Sequence, residues 1–307
     1  MKKTTLKDIA KVAEVSVATV SYVLNNTPNQ TIPEDTRCRV LEVAKSLNYV
    51  PNLAARSLVK QKSGLIGILI NRAENEASWT RLRHAHFVNQ LERLLTKRGY
   101  HVVLSSLDAD DPKLNIISER KLDGVFVIDV KKESFHLIAS HFSEGVPLIV
   151  VDSMIDDSLF YKLNYHYKAA FALADAASPL AQSYLIVERT NNVELVEFIR
   201  SSSGIEPHLV HIAQEEEELR KFLLRNAERH GIVLNEFTAI AAAKYTDPAK
   251  MTVICTAGCP ELAPPAAAKI TFGDRMPQAA YELMLKLIGN PMDGPLSKYI
   301  QIDAINH

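Results

Sequence analysis

Apolar residues recur at helical spacing from the start of the chain. Leu6, Ile9, Ala10 and Ala13 stand at i, i+3, i+4 and i+7, which gathers them on one helix face, and Thr5 with Asp8 forms a T-x-x-D start signal. Glu14 and Val15 interrupt this pattern. Ser16 then offers a second N-cap, and Val20, Val23 and Leu24 fall on one face of a second helix that ends near Asn25 and Asn26. After a polar loop, Pro33 suits a first helical turn, with Glu34 and Asp35 beside the positive helix end. A third helix running to about Leu47 would turn Val40, Leu41, Ala44 and Leu47 inward, and Pro51 closes the unit.

From Gly64 the pattern changes to apolar runs alternating with helical stretches. Strands are predicted at Leu65 to Ile70, His101 to Ser105, Gly124 to Ile128, Leu148 to Asp152, Ser183 to Val187, Leu209 to Ile212, Ile232 to Leu234 and Met251 to Cys255. Strand and helix in alternation build parallel sheets covered by helices on both faces, and this many strands implies two such sheets. The longest apolar runs, Gly64 to Ile70 and Val146 to Val151, are far shorter than the ~20 residues a membrane-spanning helix needs. Gln214 to Glu218 is an acidic run that reads as the start of a solvated helix.

Composition adds little to this picture, whereas the distribution of charge adds more. With 47% apolar and 23% charged residues among 307, the chain is an ordinary globular one. Met1, Lys2 and Lys3 are not followed by the apolar run of a secretory signal, and Cys38, Cys255 and Cys259 make no disulfide framework; a cytoplasmic location fits. The net charge of −1 divides unevenly: residues 1–62 carry ten Lys/Arg against five Asp/Glu, net +5, leaving −6 for the rest. A basic head on an acidic body suits a nucleic-acid partner. Cys255-x-x-x-Cys259, His84-x-His86 and His208-x-x-His211 lack the further ligands of a metal site. No nucleophile elbow, P-loop or dinucleotide fingerprint is present. No enzyme, metal or cofactor is expected.

The stretch Leu6 to Asn25 carries Asp8-Ile9-Ala10, Ala13-Glu14-Val15-Ser16, Thr19-Val20-Ser21 and Val23-Leu24-Asn25. It resembles the helix-turn-helix of the lactose-repressor (LacI/GalR) family, and the likeness continues through Asn48 to Asn52 and Ala54 to Leu58. A recognition helix presents short or hydrogen-bonding side chains at its N-terminal end, away from its own core, and Val17, Ala18 and Tyr22 occupy that side. The resemblance implies that they face base edges, with apolar contact from Val17 and Ala18 and a phenol contact from Tyr22. Thr5, Ser16, Thr19, Ser21 and Asn25 would hold and position the backbone. It further implies that Asn52 to Leu58 form a hinge helix in the minor groove, with Asn52, Ala55 and Arg56 at the DNA and Leu58 wedged between base pairs.

Residues 64–307 resemble the family's periplasmic-binding-protein-like body through Leu65 to Ile70, Arg98-Gly99-Tyr100, Leu122 to Val125 and Val146 to Asp152. The implied organisation is a head over 1–50, a hinge over 51–62 and an effector-binding and dimerisation domain of two doubly wound subdomains over 63–307. The implied function is a regulator, a repressor by family habit, that binds palindromic operator DNA as a homodimer under control of a sugar, phosphosugar or other metabolite. Several family cleft positions are altered, with Arg83 and His84 near the usual aromatic pair, Asn164 for aspartate and Ala257 for a late aspartate. Trp79, Arg83, His84, Asn164, Tyr165, His166, Asn191 and Asn235 are the candidate effector contacts, and Arg83 with His84, His86 and His166 points to an anionic effector. The alternative is a body that has lost small-molecule binding and serves dimerisation or a protein co-regulator.

Overall fold

The structure is a computed structural model and describes residues 4–24, 30–49, 62–74, 76, 78–114, 120–142 and 145–305. The chain divides into two compact units, residues 1–63 and 64–307. Among the described residues no helix is long and apolar enough to cross a membrane.

The first unit holds α1 (Leu6–Val12), α2 (Val17–Leu24) and α3 (Glu34–Ser46). Thr5 caps α1 through a reciprocal box: its backbone N–H donates to Asp8 Oδ2 at 2.8 Å while the Asp8 N–H donates back to the Thr5 hydroxyl. Ser16 caps α2 by accepting the Thr19 N–H at 3.0 Å. Ile9, Ala13, Val20 and Val40 are fully or almost fully buried and make the core where the three helices meet. Leu41, expected to point inward, is 47% exposed: Val40 and Ala44 hold the inner face of α3, and one residue on from Val40 is a rotation of about 100°.

The turn between α1 and α2 places Glu14 at φ 53°, a left-handed conformation that costs a non-glycine residue roughly 1–2 kcal/mol. Glu14→Gly is therefore expected to stabilise the head by up to about 1 kcal/mol once the entropy of the unfolded glycine is subtracted. Its melting transition should move up, and a fall would show that the turn does not strain Glu14.

In the second unit β1 (Leu65–Arg72), β2 (His101–Asp108), β3 (Gly124–Ile128), β4 (Leu148–Val151), β5 (Tyr161–Tyr165) and β11 (Tyr299–Ile302) form one sheet in the order β11-β5-β4-β3-β1-β2. A second sheet runs β10-β9-β8-β6-β7 from β6 (Ser183–Glu188), β7 (Val210–Ala213), β8 (His230–Leu234), β9 (Met251–Cys255) and β10 (Ala268–Thr271). Every strand pair in both is parallel, and β3, β4, β5, β6 and β9 are buried end to end. Helices α4 (Ser78–Leu82), α5 (Ala85–Lys97), α6 (Lys132–Ser140), α7 (Tyr167–Ala177), α8 (Val193–Ser203), α9 (Glu216–Arg225), α10 (Glu236–Ala242) and α11 (Arg275–Gly289) connect them. The acidic run expected to open a helix does so, at α9, whose Leu219, Phe222 and Leu223 turn inward.

The chain builds the first sheet through β5, crosses to the second, and returns with α11 and β11. His166, between β5 and α7 where the chain first crosses, faces Asp303 just after β11, Nδ1 to Oδ1 at 2.5 Å. In a parallel sheet all strand C-termini face the same way, so the loops after β1, β3, β4, β6, β8 and β9 converge on the crevice between the sheets.

Candidate functional site

In the head, α2 turns Val20 and Val23 into the core and leaves Val17, Ala18 and Tyr22 exposed. Val17 and Tyr22 are large apolar side chains left in solvent on a helix whose inner face is already satisfied. Ser16 is exposed, its hydroxyl 2.9 Å from that of Thr19, and Ser21 is half-buried. Thr5 is exposed with its hydroxyl held by Asp8 Oδ2 at 2.7 Å. Asn25, Asn52, Ala55, Arg56 and Leu58 lie outside the described residues.

In the body, the crevice between the sheets holds a buried charge cluster. Asp129 follows β3, Asp152 follows β4 and Glu188 ends β6. Arg83, in the turn between α4 and α5, bridges them: Nη2 lies 3.2 Å from Asp152 Oδ2 and Nε 3.3 Å from Glu188 Oε1. One guanidinium therefore links the two sheets. His84 Nε2 is 3.0 Å from the same Asp152 oxygen, and since a carboxylate only accepts, Nε2 carries the hydrogen. Asn191 donates from its backbone to Asp129 Oδ1 at 3.0 Å and from its side chain to Asp129 Oδ2 at 3.0 Å. Asn235 donates to both Glu188 oxygens at 3.1 and 3.0 Å. Asn192 caps α8 and donates to the Val130 carbonyl, a further tie across the crevice.

Backbone strain gathers at the same place. Asp129, Asp152 and Asn235 have φ values of 53°, 52° and 74°, conformations that persist when surrounding contacts hold them and that cluster at functional sites.

Of the expected effector contacts, Arg83, His84, Asn191 and Asn235 come together here. Asn164 is buried nearby and donates to the Ser153 carbonyl, and Tyr165 spans the sheets by donating to the Thr256 carbonyl at 2.9 Å. Trp79 sits on α4 against the core, and His166 stands at the start of α7, paired with Asp303. Asp129, Asp152, Glu188 and Asn71, the last buried near the end of β1 and donating to the Ile128 carbonyl at 3.1 Å, were not singled out from the sequence, although the first three each stand at the C-terminal end of an expected strand, where crevice residues of parallel sheets arise.

Burial and the surplus of carboxylates set the protonation states. Burial pushes Asp129 and Glu188 up to about 7, with Arg83 only partly opposing. Burial also acts on Asp152, but Arg83 and His84 overcome it and hold Asp152 below its ordinary value. Burial, then the neighbouring Arg83, lowers His84, keeping it neutral near pH 7. Burial opposes the charge of Arg83, yet Glu188, Asp152 and Asp129 keep it protonated.

A pH dependence of stability follows. Asp129 and Glu188 titrate near 7 when folded and at about 4 when unfolded, so the folded body binds more protons between those values and loses stability as pH rises through the window. Below about 6.5 the buried neutral His84 works in the opposite direction, because the unfolded imidazole gains a proton there. The body should therefore melt at a higher temperature at pH 6.5 than at pH 8, and Glu188→Gln should reduce the difference; equal melting at both values would refute the assignment.

A cavity of about 290 Å³ opens beside this cluster, with Glu74, Glu76, Asp110, Arg189, Thr190 and Asn191 in its lining. No group of three His, Cys, Asp or Glu among the described residues is placed to hold a metal ion.

Residues 5–52 match the family model described as bacterial regulatory proteins, lacI family. The chain is 33% identical over 155 residues to the "Probable HTH-type transcriptional repressor ExuR" of Bacillus subtilis (strain 168), covering 50% of this chain and 44% of that protein. It is 30% identical over 154 residues to the "HTH-type transcriptional repressor PurR" of Histophilus somni (strain 2336), covering 48% and 43%. With catabolite control protein A of Staphylococcus xylosus it shares 29% over 251 residues, covering 78% and 71%. The chain thus spans less than half the length of the first two relatives. In three dimensions it is similar over 99% of its length to the lac repressor dimer bound to operator and the anti-inducer ONPF, with a TM-score of 0.74, 16% identity and 97% of that chain covered. It is also similar to the CelR–cellobiose complex, with a TM-score of 0.56, 17% identity and 99% and 98% of the two chains covered. The fold is accordingly that of the lac repressor, a helix-turn-helix unit and two parallel-sheet subdomains like those of periplasmic binding proteins. Residues 5–52 thus carry the DNA-binding head of the lacI family of bacterial regulatory proteins, and the chain as a whole takes the lac repressor fold.

Proposed function

We propose that this protein is a sequence-specific DNA-binding transcriptional regulator, a repressor that reads a palindromic operator as a homodimer in the cytoplasm and answers to a small molecule in the crevice of its body. The observation that carries the reading is α2, whose inner face is buried while Val17, Ala18 and Tyr22 stand outward. A recognition helix has that division. The relatives named as repressors and the operator-bound lac repressor support it, as does the +5 charge of residues 1–62. In the hinge reading, Asn52, Ala55 and Arg56 line the minor groove and Leu58 is the wedge.

Self-association is supported by exposed leucine and isoleucine side chains on touching elements. Leu82 on α4, Ile240 on α10 and Leu262 in the adjoining 3-10 turn are all exposed, and α10 contacts both of the other two elements. Apolar surface shared by neighbouring elements favours a partner face. A two-fold dimer presents two α2 helices to two half-sites, which is why an inverted repeat is expected.

The internal Arg83 network favours one second reading, in which the crevice is closed by the protein's own side chains and the body serves only dimerisation or a protein co-regulator.

Selection of bound duplexes from a randomised library by the full chain tests the main reading. An inverted repeat should be enriched. Ala18→Glu, an exposed position in a helix, should leave melting unchanged and weaken retention at least 100-fold by placing a carboxylate against phosphate and base edges. Failure to enrich any sequence, or undiminished binding by this variant, would sink the proposal.

A further inference from the structure

The anionic effector expected from Arg83 and the nearby imidazoles meets a different chemistry in the folded crevice. Each of those side chains already faces a carboxylate: Arg83 faces Asp152 and Glu188, His84 faces Asp152, His86 faces Asp274 at 2.8 Å and His166 faces Asp303. A phosphate or carboxylate entering here would compete with groups of its own sign.

The balance runs the other way. Among the described residues that pair directly with Arg83 or lie in its immediate field, Asp129, Asp152 and Glu188 are carboxylates. One guanidinium cannot neutralise three of them. Burial first, and then the neighbouring carboxylates, push two of them up to about 7 in spite of Arg83. Hydrogen bonding shows the same bias. Asp152 Oδ1, Asn71 Oδ1 and Asn164 Oδ1 are buried acceptors without a partner, against the buried donors Arg83 Nη1 and Trp79 Nε1, while the unpartnered hydroxyls of Thr238 and Thr256 can serve either way. Buried polar atoms in this state are costly unless a ligand or water completes them. The adjoining cavity of about 290 Å³ sits at the lower end of small-molecule sites, and its lining carries Glu74, Glu76, Asp110 and Arg189, with Glu76 paired to Arg72 and Asp110 to Lys131.

We propose that the effector of this crevice is a small cation rich in N–H donors, an amine, amidine or guanidine, held between the two sheets with Asp129 and Glu188 as its counter-ions. The inference rests on the reading of the crevice as an effector site and supplies its ligand class. Such a molecule brings the positive charge that Arg83 alone does not provide, and its several N–H groups suit acceptors that stand unpaired. Because Asp129 belongs to the first sheet and Glu188 to the second, a cation paired with both draws the subdomains together, as Arg83 does from one side. Closure around a ligand is a common way for such a signal to leave the site.

The charged and titratable groups facing these two carboxylates are Arg83 and His84 from the α4–α5 turn, Asp152 after β4, Tyr165 on β5 and Tyr167 on α7. Burial holds both tyrosines protonated well above neutrality, Arg83 keeps its proton, and His84 is neutral. Between pH 6 and 8 the change of charge therefore falls mainly on Asp129 and Glu188. Cation binding should strengthen as they ionise.

Calorimetric titration of the full chain without DNA, at fixed ionic strength, decides the matter with putrescine, spermidine and agmatine as cations and with a hexose and a hexose phosphate as comparators. At least one cation is expected to bind, at least fivefold more tightly at pH 8 than at pH 6. Asp129→Asn keeps an oxygen for the Asn191 and Asn192 amides, and Glu188→Gln keeps one for Asn235; each should weaken binding at least tenfold while the melting transition is retained. Binding of the hexose or its phosphate alone would overturn the cationic class and leave the effector reading standing. Cation binding indifferent to pH and to both substitutions would place the ligand elsewhere on the acidic body and also overturn the proposal. Silence from every compound would overturn both the ligand class and the effector reading, in favour of a body that only dimerises or meets a protein.

Discussion

Arg83→Met is expected to cost the body roughly 3–5 kcal/mol, the usual penalty for removing one partner from a buried ionic network and leaving the others charged. Arg83 is 3% exposed and bonds to Asp152 in the first sheet and Glu188 in the second. Methionine matches much of its length and fills the space, so the loss would be electrostatic rather than a cavity. In a body of this size the penalty corresponds to a fall in melting temperature of roughly 10 °C. It should be larger at pH 8 than at pH 6.5, because the abandoned carboxylates can take up protons at the lower value. Adding Glu188→Gln should restore part of the loss, since one fewer unpaired charge remains. A penalty under about 1 kcal/mol at pH 8 would mean that water, rather than Arg83, solvates these carboxylates.

Ile9→Ala should unfold the head and abolish operator binding while leaving the body's transition in place. Ile9 is fully buried where α1, α2 and α3 meet, and truncating such a side chain costs about 2–5 kcal/mol. A unit of this size, without disulfide or metal support, has only roughly 3–5 kcal/mol to lose. Calorimetry of the full chain would show the low-temperature transition vanish, and DNA retention would vanish with it. Leu41→Ala provides the contrast: at 47% exposure it should change stability by no more than about 0.5 kcal/mol. If Leu41→Ala proved as damaging as Ile9→Ala, the orientation of α3 would be wrong.

These two residues differ in how visible their roles were. Ile9 announced itself by spacing, together with Leu6, Ala10 and Ala13. Leu41 shared the same apolar character and sat beside Val40, yet the helix has room for one of the two on its inner face. Charge told a similar story at the crevice. Arg83 drew attention as a cation suited to an anion, while its actual partners lie 69 and 105 positions further along the chain, a distance no local pattern bridges. Asp129, Asp152 and Glu188 ended expected strands, and that position was a usable signal for crevice residues.

Among the strands, β5, β10 and β11 escaped the pattern. In β5, Lys162 and Asn164 break the apolar run, yet Lys162 is fully buried with its amino group over the Tyr299 ring at 4.3 Å and bonded to the Asp157 carbonyl. Strand β11 is a short edge strand whose partner, β5, lies more than a hundred residues earlier. Polar strands of this kind exist because a remote segment satisfies them.

The sequence by itself determined the helical head, the alternation that yields two parallel sheets, and the likeness that points to DNA, because periodicity, capping and motif spacing act over a few neighbouring residues. Only the tertiary structure decided that Leu41 lies off the buried face of α3, which strands complete each sheet, and that Arg83 and the crevice imidazoles already face carboxylates. Those outcomes depend on groups far apart in the chain, and burial, charge balance and unmet hydrogen bonds have no value until folding brings those groups together.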